Sequence, residues 1–459
     1  SLAALDTQGN ALGVAPTGCH APGTPILMVD GRLKAIEMIE RGDVLMGPES
    51  QPRRVLEVHH GQDEMFDVCP IKGAPFRVNR GHVLTLVRTN DCAGKRGRNR
   101  EGELVDISVA AYLTQSATFR HSHKLLRLPA DFPDRAMPPI DPYFLGVLIG
   151  DGCLRHGVAV TSPDAEIVET LYAQAPVWSL SVRADQFTGS AASTYSLVGA
   201  PGRRNNLIEA LRDLALFGKS AQEKAIPDAY RLGSRDTRRA ILAGLLDTDG
   251  HLSNNGLFEF SSSSCRLAED VAFIARSLGY LAIVSQRAIK GALYWRVHIS
   301  GDTDQIPTRV VRKQAPPRRQ RKDVLRSGFT VHPVGEGPYV GVTVDGDHRY
   351  LLGDFTLTHN SGKTVMLSSV VGSCLRDPAA KAAILAHRDE LTAQNRATFA
   401  RVNPEIATSV VDARGKDWSG PATFAMVPTL ARAGNLDGLP ALDLLVIDEA
   451  HHAAADSYR

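Results

Sequence analysis

Two halves of one phosphate-binding motif stand far apart in this sequence, and their separation constrains the fold more than any other feature. The segment SGKT at 361–364 is the back half of such a loop, but the turn whose backbone N–H groups would wrap the phosphates does not precede it. The segment APTG at 15–18 has the sequence of the missing front half. Removal of residues 19–360 would join the two as APTGSGKT, which indicates that these residues are an insertion into another domain.

Composition restricts the class of protein without identifying it. The 459 residues are 43% hydrophobic and 22% charged, which excludes a disordered or collagen-like chain and gives length for about three globular domains. The six cysteines form no CxxC pair, which argues against a disulfide-stapled secreted fold, so we expect reduced thiols and a cytoplasmic location. Neither a long apolar run nor a signal-like opening is present, so we predict no membrane partner. The first residue is Ser, and we expect a fragment of a longer protein.

The local patterns of apolar and turn-forming residues along the chain predict five segments. Residues 1–18 and 361–459 are flanks, and the second flank alternates strand-like and helix-like stretches, which predicts a parallel sheet. Residues 19–137 and 327–360 carry short β-rich runs between turn signals, which predicts one all-β domain in two pieces. Residues 138–326 mix helices with strands and contain a duplication. The predicted fold class is therefore multi-domain: an all-β domain interrupted by an α+β domain and flanked by pieces of an α/β domain.

The residues at the two ends of the insertion are those that peptide-bond rearrangement requires. Cys19 opens the insertion, His359 and Asn360 close it, and Ser361 follows. At these positions the sequence resembles the inteins, protein-splicing elements of the Hint fold, and in particular those that carry a LAGLIDADG homing endonuclease. The flanks resemble the first motor domain of a superfamily 2 DEAD/DEAH-type helicase, in which the joined loop would be the P-loop.

The resemblance implies a role for each junction residue and no cofactor for splicing. The Cys19 thiol would attack the carbonyl carbon of Gly18 and form a thioester. His82 stands where inteins carry the histidine that protonates the departing nitrogen, and Asn79 replaces their usual Thr. Ser361 would then accept the N-terminal segment on its hydroxyl oxygen.

At the C-terminal junction the resemblance assigns the peptide-bond cleavage to the side-chain amide of Asn360. Asn360 would cyclise to a succinimide and break the bond to Ser361. His359 would act as acid or base on its carbonyl, and His348 resembles an additional histidine of the same sequence block.

One position departs from the family pattern, because many inteins have Asp where this chain has Gly341. Asp345 or Asp347 could replace it, but neither is assigned a catalytic role. The departure leaves open an intein that cleaves without ligating, or a splicing-inactive insertion with the endonuclease as its main activity. A free-standing endonuclease, or an ordinary helicase with an accessory β domain, is another alternative. Alone, a buried Cys is usually core and a His-Asn pair a turn, but their joint placement favours splicing.

Two similar helical segments carry the duplication, FLGVLIGDG at 144–152 and LAGLLDTDG at 242–250. Their small residues allow two helices to approach closely, so Asp151 and Asp249 would meet at the end of the pair. Two facing carboxylates repel unless a cation lies between them, which predicts a divalent metal, Mg²⁺, for phosphodiester cleavage. Lys224 resembles the lysine that the family places before its second motif. One copy alone would be interpreted as a core helix ending in a turn.

The excess of basic over acidic residues lies in the insertion, with a net charge of +4 against −2 for the flanks, which predicts double-stranded DNA as its partner, with the allele that lacks the insertion as the target. Strands between the two motifs would read the major groove. Candidate phosphate contacts are Arg203, Arg204, Arg235, Arg238, Arg239, Arg287, Arg296 and the run 309–326, which is alternatively a linker.

The resemblance of the flanks to a helicase implies an ATP site that exists only after splicing. Lys363 would reach the β and γ phosphates, and Thr364 and Asp448 would hold Mg²⁺. Glu449, in the DEAH sequence after an apolar strand, would polarise the attacking water. The other loop residues are Gly18, Ser361 and Gly362. The spliced host would bind ATP and nucleic acid, and we expect the unspliced chain to have lost ATP binding.

Overall fold

The structure is a computed structural model that describes residues 19–90, 92–94, 97–133, 135–185, 192–289, 291–317, 322–359, 363–386, 389–412, 415–432 and 438–447. The chain divides into two compact units, one spanning Cys19–Asn360 and the other made of the remaining residues. None of the helices within the described ranges has the length and apolar content that a membrane span requires.

The first part of the Cys19–Asn360 unit consists of short strands, because turn residues interrupt its apolar runs. Two short helices also occur, capped by Ser108 and Ser116, whose hydroxyls accept hydrogen bonds from backbone N–H groups two to three residues into each helix. The all-β prediction missed both. The elements are β1 (Pro25–Leu27), β2 (Leu33–Ala35), β3 (Val44–Met46), β4 (Pro52–Pro70), β5 (Phe76–Asn79), β6 (Val83–Arg88), β7 (Cys92–Gly94), β8 (Gly97–Asn99), β9 (Leu104–Ser108), α1 (Val109–Leu113), α2 (Ala117–Ser122) and β10 (His123–Leu126).

The inserted part mixes helices and strands, as predicted. Its elements are α3 (Pro142–Gly150), β11 (Gly152–Cys153), β12 (Ala159–Ser162), α4 (Ala165–Gln174), β13 (Leu180–Asp185), β14 (Ser193–Gly199), α5 (Asn206–Asp213), α6 (Asp228–Arg231), α7 (Arg235–Asp249), β15 (Gly250–Leu252), β16 (Phe258–Ser262), α8 (Cys265–Ser277), β17 (Leu281–Ile289) and β18 (Ala292–Ser300).

The insertion has an internal repeat in its sheets as well as in its sequence. One four-stranded sheet has the order β11-β12-β14-β13 and the other has the order β15-β16-β18-β17, so each follows one acidic helix in the same way. The helices α3 and α7 touch through their backbones. A Cβ at Gly146 would lie against the Ile241 carbonyl oxygen, and one at Gly244 would collide with the Tyr143 carbonyl oxygen. Glycine is therefore required at this crossing.

After the insertion the chain returns to the first domain. The elements are β19 (Arg326–Ser327), β20 (Phe329–Val344), β21 (Arg349–Leu351) and β22 (Leu357–His359). β20 runs antiparallel to β4 along nearly its whole length, and a second sheet has the order β19-β10-β6-β22-β21 with β9 on the other edge of β6. The two pieces of the β domain are therefore interleaved strand by strand.

An apolar cluster joins the β domain to the inserted domain. Phe355 and Leu357, which precede and begin β22, pack with Leu232 and Phe273 of the insertion. The rings of Phe273 and Phe355 meet edge to face, with centroids 5.2 Å apart. The prolyl joint, which is the Pro-rich segment 129–139, contributes Ala130 to the same cluster and is packed at that residue.

The second unit contains a parallel sheet, as the alternation of its elements predicts. The elements are α9 (Lys363–Cys374), β23 (Ala382–Ala386), α10 (Asp389–Val402), β24 (Thr408–Val411), β25 (Ala422–Met426), α11 (Val427–Leu430) and β26 (Leu444–Ile447). The strand order is β24-β25-β23-β26, and every pairing is parallel. Val371 of α9, Phe399 of α10 and Phe424 of β25 form the core on one face.

Candidate functional site

Cys19 is fixed at the N-terminal junction by a residue that the sequence already singled out. Its backbone N–H donates to Asn79 Oδ1 at 3.0 Å, and its carbonyl oxygen accepts from the Asn79 backbone N–H at 3.0 Å. The Asn79 side chain donates in turn from Nδ2 to Asp63 Oδ2 at 3.0 Å, which fixes the orientation of the amide. Cys19 is fully buried. Asn79 thus holds both backbone groups of Cys19, one through its side chain and one through its backbone N–H, while Gly18 lies outside the described residues.

His82 lies in the same buried region, at the start of β6. Its Nε2 and the Thr358 Oγ1 lie 2.8 Å apart, with the donor set by the imidazole tautomer. The ring meets that of His20 edge to face, at a centroid distance of 4.5 Å. Thr358 thus holds the imidazole through Nε2. Thr358 and Asp63 are contacts that the sequence did not predict, since no local pattern relates β22 or β4 to this histidine and asparagine.

The pocket around Cys19 disfavours charge. Burial lowers the pKa of His20 to about 3, so its ring is neutral, and neither of its nitrogens has a hydrogen-bond partner among the described residues. The Tyr350 hydroxyl is also buried without a partner there, and burial followed by the nearby Cys19 raises its pKa. A low-polarity environment of this kind strengthens each hydrogen bond made inside it.

The C-terminal junction is built on β22, where His359 pairs with Val83 of β6 on one side and Arg349 of β21 on the other. The His348 and His359 rings lie 6.0 Å apart. His348 has a left-handed backbone with φ of 60°, and its Nδ1 contacts the Val344 carbonyl oxygen at 2.7 Å. Burial and then the charge of His359 lower the pKa of His348 to about 4, so it is neutral near pH 7. Asn360 and Ser361 lie outside the described residues.

The acids considered as replacements at Gly341 are engaged elsewhere. Asp345 Oδ1 accepts from the Arg54 backbone N–H, and Asp347 pairs with Arg53 at 2.8 Å. Both lie in the turn before β21, and both are held by residues at the start of β4. Their contacts give neither a catalytic role.

A second site lies at the ends of the paired acidic helices. Asp151 follows α3 and is half-buried, while Asp249 ends α7 and is exposed as a residue, although protein atoms surround its carboxyl. Burial raises the pKa of both carboxyls, and the charge of Asp151 helps raise that of Asp249 to about 6. The two acids therefore interact directly, as the sequence predicts for a site that holds a cation.

Two buried lysines stand beside this acid pair. Lys224 Nζ donates to the carbonyl oxygens of Gly150 at 3.0 Å and Gly152 at 2.7 Å, at the end of α3. Lys313 Nζ donates to the carbonyl oxygens at the end of α7, those of Leu246, Asp247 and Thr248. The sequence identified Lys224 and missed Lys313, whose place in the basic run 309–326 favoured a surface role. Burial lowers the pKa of both ammonium groups.

The residues present fit a hard divalent cation. Asp151 and Asp249 are two interacting carboxylates, and carboxylate oxygens are the ligands that a hard divalent cation prefers. Within the described ranges, no three His, Cys, Asp or Glu side chains gather into one metal site. A cation held here would complete its coordination with water, backbone or phosphate oxygens.

One predicted phosphate contact is wrong. The Arg238 side chain is only 1% exposed, and its guanidinium binds Asp131 together with backbone oxygens of the prolyl joint and of residue 233. It also donates to Ser277 Oγ. Arg238 therefore ties the joint to the inserted domain. The run 309–326 is likewise not a linker throughout, because Lys313 is buried at the acid pair and Arg326 begins β19.

The nucleotide site of the flanks cannot be assembled from the described residues. Lys363 and Thr364 begin α9, and nothing is described of their side chains. The other residues predicted for this site lie outside the described ranges: Gly18, Ser361, Gly362, Asp448 and Glu449.

Comparison with known families agrees with the order of the domains. Residues 19–130 match the Hom_end-associated Hint family, residues 236–305 match LAGLIDADG-like domains, and residues 345–459 match the family described as type III restriction enzyme, res subunit. The chain therefore combines a Hint domain, a LAGLIDADG-like domain and a helicase-related domain. In this combination it is similar to the inteins that carry an endonuclease domain, with helicase-related sequence beside it.

Individual relatives show the same mixture. The replicative DNA helicase DnaB of Mycobacterium intracellulare is 31% identical over 349 residues, which cover 70% of this chain and 54% of that protein. The homothallic switching endonuclease of Saccharomyces cerevisiae is 25% identical over 247 residues, covering 46% of this chain and 42% of that protein. The chain thus spans about half the length of these curated relatives, or less.

Solved structures match parts of the chain. I-DmoI in complex with DNA and Mn is 15% identical, covers 35% of this chain and 88% of its own, and has a TM-score of 0.26. The gp41-1 intein is 13% identical, covers 21% of this chain and 62% of its own, and has a TM-score of 0.15. These likenesses are too partial to bear on function.

Proposed function

We propose that this chain is a self-splicing precursor that excises residues 19–360 and joins Gly18 to Ser361. The arrangement that carries the proposal is the bracket around Cys19, in which Asn79 holds both backbone groups of the nucleophilic residue and His82 lies in the same buried pocket. A peptide bond is a poor electrophile, so a reaction without an external energy source depends on such placement.

In the first step the Cys19 sulfur forms a bond to the Gly18 carbonyl carbon, and the bond from that carbon to the Cys19 nitrogen breaks. The thiol proton is lost and the departing nitrogen gains one, a transfer assigned to His82. The Ser361 oxygen then takes the acyl group from sulfur, with the hydroxyl proton returning to the thiolate. Asn79 steadies the amide throughout, because its Oδ1 accepts from the Cys19 N–H.

In the last cleavage Asn360 closes on its own backbone carbonyl carbon, and the bond to the Ser361 nitrogen breaks. The attacking nitrogen loses a proton and the departing nitrogen gains one, so a neighbouring group must move a proton. His359 is assigned that role, and the neutral His348 lies beside it. The ester between Gly18 and the Ser361 oxygen finally rearranges to an amide.

Intact-mass analysis of the chain after expression in a reducing host tests the proposal. We expect two products, residues 19–360 and the ligated flanks, and a single uncut chain for the Cys19→Ala, Asn360→Ala variant. Separate N-terminal and C-terminal fragments without ligated product would indicate the cleavage-only alternative that Gly341 leaves open. An unchanged wild-type chain would exclude splicing.

The insertion is also proposed to cleave double-stranded DNA at a specific site, the allele without the insertion. The interacting pair Asp151 and Asp249, flanked by Lys224 and Lys313, favours this activity. Mg²⁺ held by the two carboxylates would supply an activated water and stabilise the leaving oxygen. The lysines hold the helix ends in place through backbone carbonyl oxygens and contribute positive charge near a phosphate.

DNA carrying the coding sequence of the joined APTGSGKT junction is the substrate that tests this activity. We expect cleavage by the chain with Mg²⁺ and loss of cleavage in Asp151→Asn and Asp249→Asn. Asp236→Asn is the matched control, because Asp236 is exposed at the opposite end of α7. Equal cleavage by all variants would contradict the assignment.

For the host we propose that the ligated flanks belong to an ATP-dependent helicase that acts on nucleic acid in the cytoplasm. The parallel sheet β24-β25-β23-β26 and the sequence APTGSGKT after ligation support an ATP site. Lys363, Thr364, Asp448 and Glu449 would serve it in the roles given above.

A further inference from the structure

A buried carboxylate that the proposed mechanism does not use lies on β9. The Asp106 side chain is 7% exposed, and both of its oxygens are engaged. Oδ1 accepts from Thr85 Oγ1 at 2.8 Å, and Oδ2 accepts from Arg349 Nη2 at 2.6 Å. Burying a charge costs free energy unless the charge is fully compensated. A buried carboxylate with two strong partners therefore indicates a role other than keeping the protein soluble.

The strand register places Asp106 on the same face of the sheet as the C-terminal junction. Directly opposed residues of antiparallel strands, and residues two apart on one strand, share a face. Asp106 is opposite Thr85, and Val83 on the same strand is opposite His359. His359 is in turn opposite Arg349.

Arg349 therefore reaches Asp106 across the two strands that separate β21 from β9. These strands are β22 and β6, and His359 is on the first of them. The guanidinium and the carboxylate meet on the face that His359 occupies. The imidazole thus stands beside an ion pair.

The electrostatics of this face agree with that geometry. Burial would raise the pKa of Asp106, but the positive charges of His359 and Arg349 and the two hydrogen bonds together bring it below its usual range. Among the described residues, His348, whose ring is neutral, and Arg349 also face His359, and Asp347 contacts Arg349 at 3.7 Å.

We infer that Asp106 is a positioning residue for cleavage at the C-terminal junction, where its negative charge, paired with Arg349 on the face that His359 occupies, supports the imidazole as a proton donor. The inference rests on the proposed splicing reaction and deepens it. It supplies near the last cleavage a carboxylate that the chain lacks at Gly341. A protonated imidazole next to Asn360 can deliver the proton that the departing Ser361 nitrogen requires.

The test uses the Cys19→Ala precursor, in which Asn360 cyclisation releases residues 361–459 without the thioester steps. We measure the release rate from pH 5 to pH 9. In Asp106→Asn the imidazole loses the charge that favours its protonation, so we expect release to slow about tenfold near pH 8 and the pH profile to move to lower pH. Asp106→Glu keeps the charge, and we expect it to restore part of the rate.

A second variant separates electrostatics from damage to the fold. In Arg349→Gln the guanidinium that competes with His359 for the Asp106 charge is lost. That charge then acts more strongly on His359, so we expect the pH profile of the release rate to move to higher pH. Opposite shifts in the two variants support the inference. If both pH profiles shift in the same direction, or neither shifts, the inference is overturned. Loss of packing alone would slow release in both variants without moving their pH profiles in opposite directions.

Failure of the splicing proposal looks different. Thiol-induced cleavage at Cys19, measured in the precursor with Cys19 intact, depends on Asn79 and His82 and should be unchanged by Asp106→Asn. If the precursor with Cys19 intact shows no thiol-induced cleavage and the Cys19→Ala precursor does not release residues 361–459, the splicing proposal itself fails. If the Cys19→Ala precursor releases residues 361–459, and adding Asp106→Asn leaves the rate and the pH profile of release unchanged, only the role of Asp106 fails.

Discussion

His82 and Thr358 meet across 276 residues of sequence, and through this contact the two junctions depend on one another. Thr358 lies on β22, directly before His359, while His82 lies at the start of β6 close to Cys19. The imidazole proposed for the first step is thus held by the strand that carries the last step. We therefore expect the proposed chemistry at the N-terminal junction to depend on the placement of β22 in the sheet.

Replacing Thr358 tests this dependence at a single hydroxyl. Thr358→Val keeps the branched shape and removes the partner of His82 Nε2, which leaves a buried polar atom unpaired at a cost of about 1–3 kcal/mol. We expect thiol-induced cleavage at Cys19 to slow about tenfold or more, and Thr358→Ser to keep most of the rate. Cleavage is followed by mass spectrometry. An equal rate in all three proteins would show that Thr358 does not hold the imidazole.

The buried histidine at the C-terminal junction gives a prediction about acid stability. His348 has a pKa lowered from 6.5 to about 4 by burial and by His359, so the folded chain resists its protonation while the unfolded chain does not. Stability is then complete above pH 6.5 and is lost as the pH falls towards 4. Between pH 7 and pH 5 this group alone removes about 2 kcal/mol.

Denaturant unfolding of the uncleaved Cys19→Ala, Asn360→Ala precursor at the two pH values measures that loss. His348→Gln should reduce the loss by about 2 kcal/mol, while the exposed His121→Gln should leave it unchanged. The same loss in the His348 variant as in the parent would contradict a neutral buried ring.

Sequence reasoning reached some residues of the splicing site because each has a local signal. Cys19 and His359 mark the ends of an interruption, and Asn79 and His82 have a fixed spacing. Asp106, by contrast, joins the junction only through strand pairing. Pairing partners of this kind are not encoded by nearby residues, so no periodicity or motif could have named them.

At the scale of elements, the crossing of α3 and α7 sets the nuclease site. Gly146 and Gly244 allow backbone contact at the crossing, and this contact brings the helix ends with Asp151 and Asp249 together. The duplicated sequence predicted this crossing because small residues recur at the same place in both copies. It could not predict that Lys313 caps α7, since burial of a lysine in a basic run leaves no trace in composition.

Enlarging one glycine of the crossing should separate the helices. In Gly244→Val the new side chain meets the Tyr143 carbonyl oxygen, which belongs to backbone and cannot move aside. We expect a loss of about 3 kcal/mol in domain stability and of DNA cleavage. Thermal unfolding and cleavage assays are the measurements. Gly157→Val is the control, because a Cβ at Gly157 meets nothing within 4 Å, and equal stability of the two variants would refute close contact at the crossing.

For the whole molecule, the insertion and the splicing domain share more than a covalent joint. Phe273 of the insertion packs on Phe355, two residues before β22 begins, and Arg238 holds the prolyl joint from inside the inserted domain. The β domain would expose this apolar cluster without the insertion. The Pro-rich sequence predicts a domain boundary at this joint, but only tertiary contacts reveal that Ala130 within it is buried.

The interruption of the phosphate loop gives the last prediction, which concerns the host unit. Phosphate binding by such a loop needs consecutive backbone N–H groups from both halves, and in the precursor Gly18 and Ser361 are bonded to the insertion instead of to each other. We expect the Cys19→Ala, Asn360→Ala precursor to bind ATP about a hundredfold more weakly than the ligated flanks, measured by equilibrium dialysis. Lys363→Ala in the ligated product is the control and should weaken binding to a similar degree. Equal affinity of precursor and product would mean that residues 19–360 do not interrupt a nucleotide site.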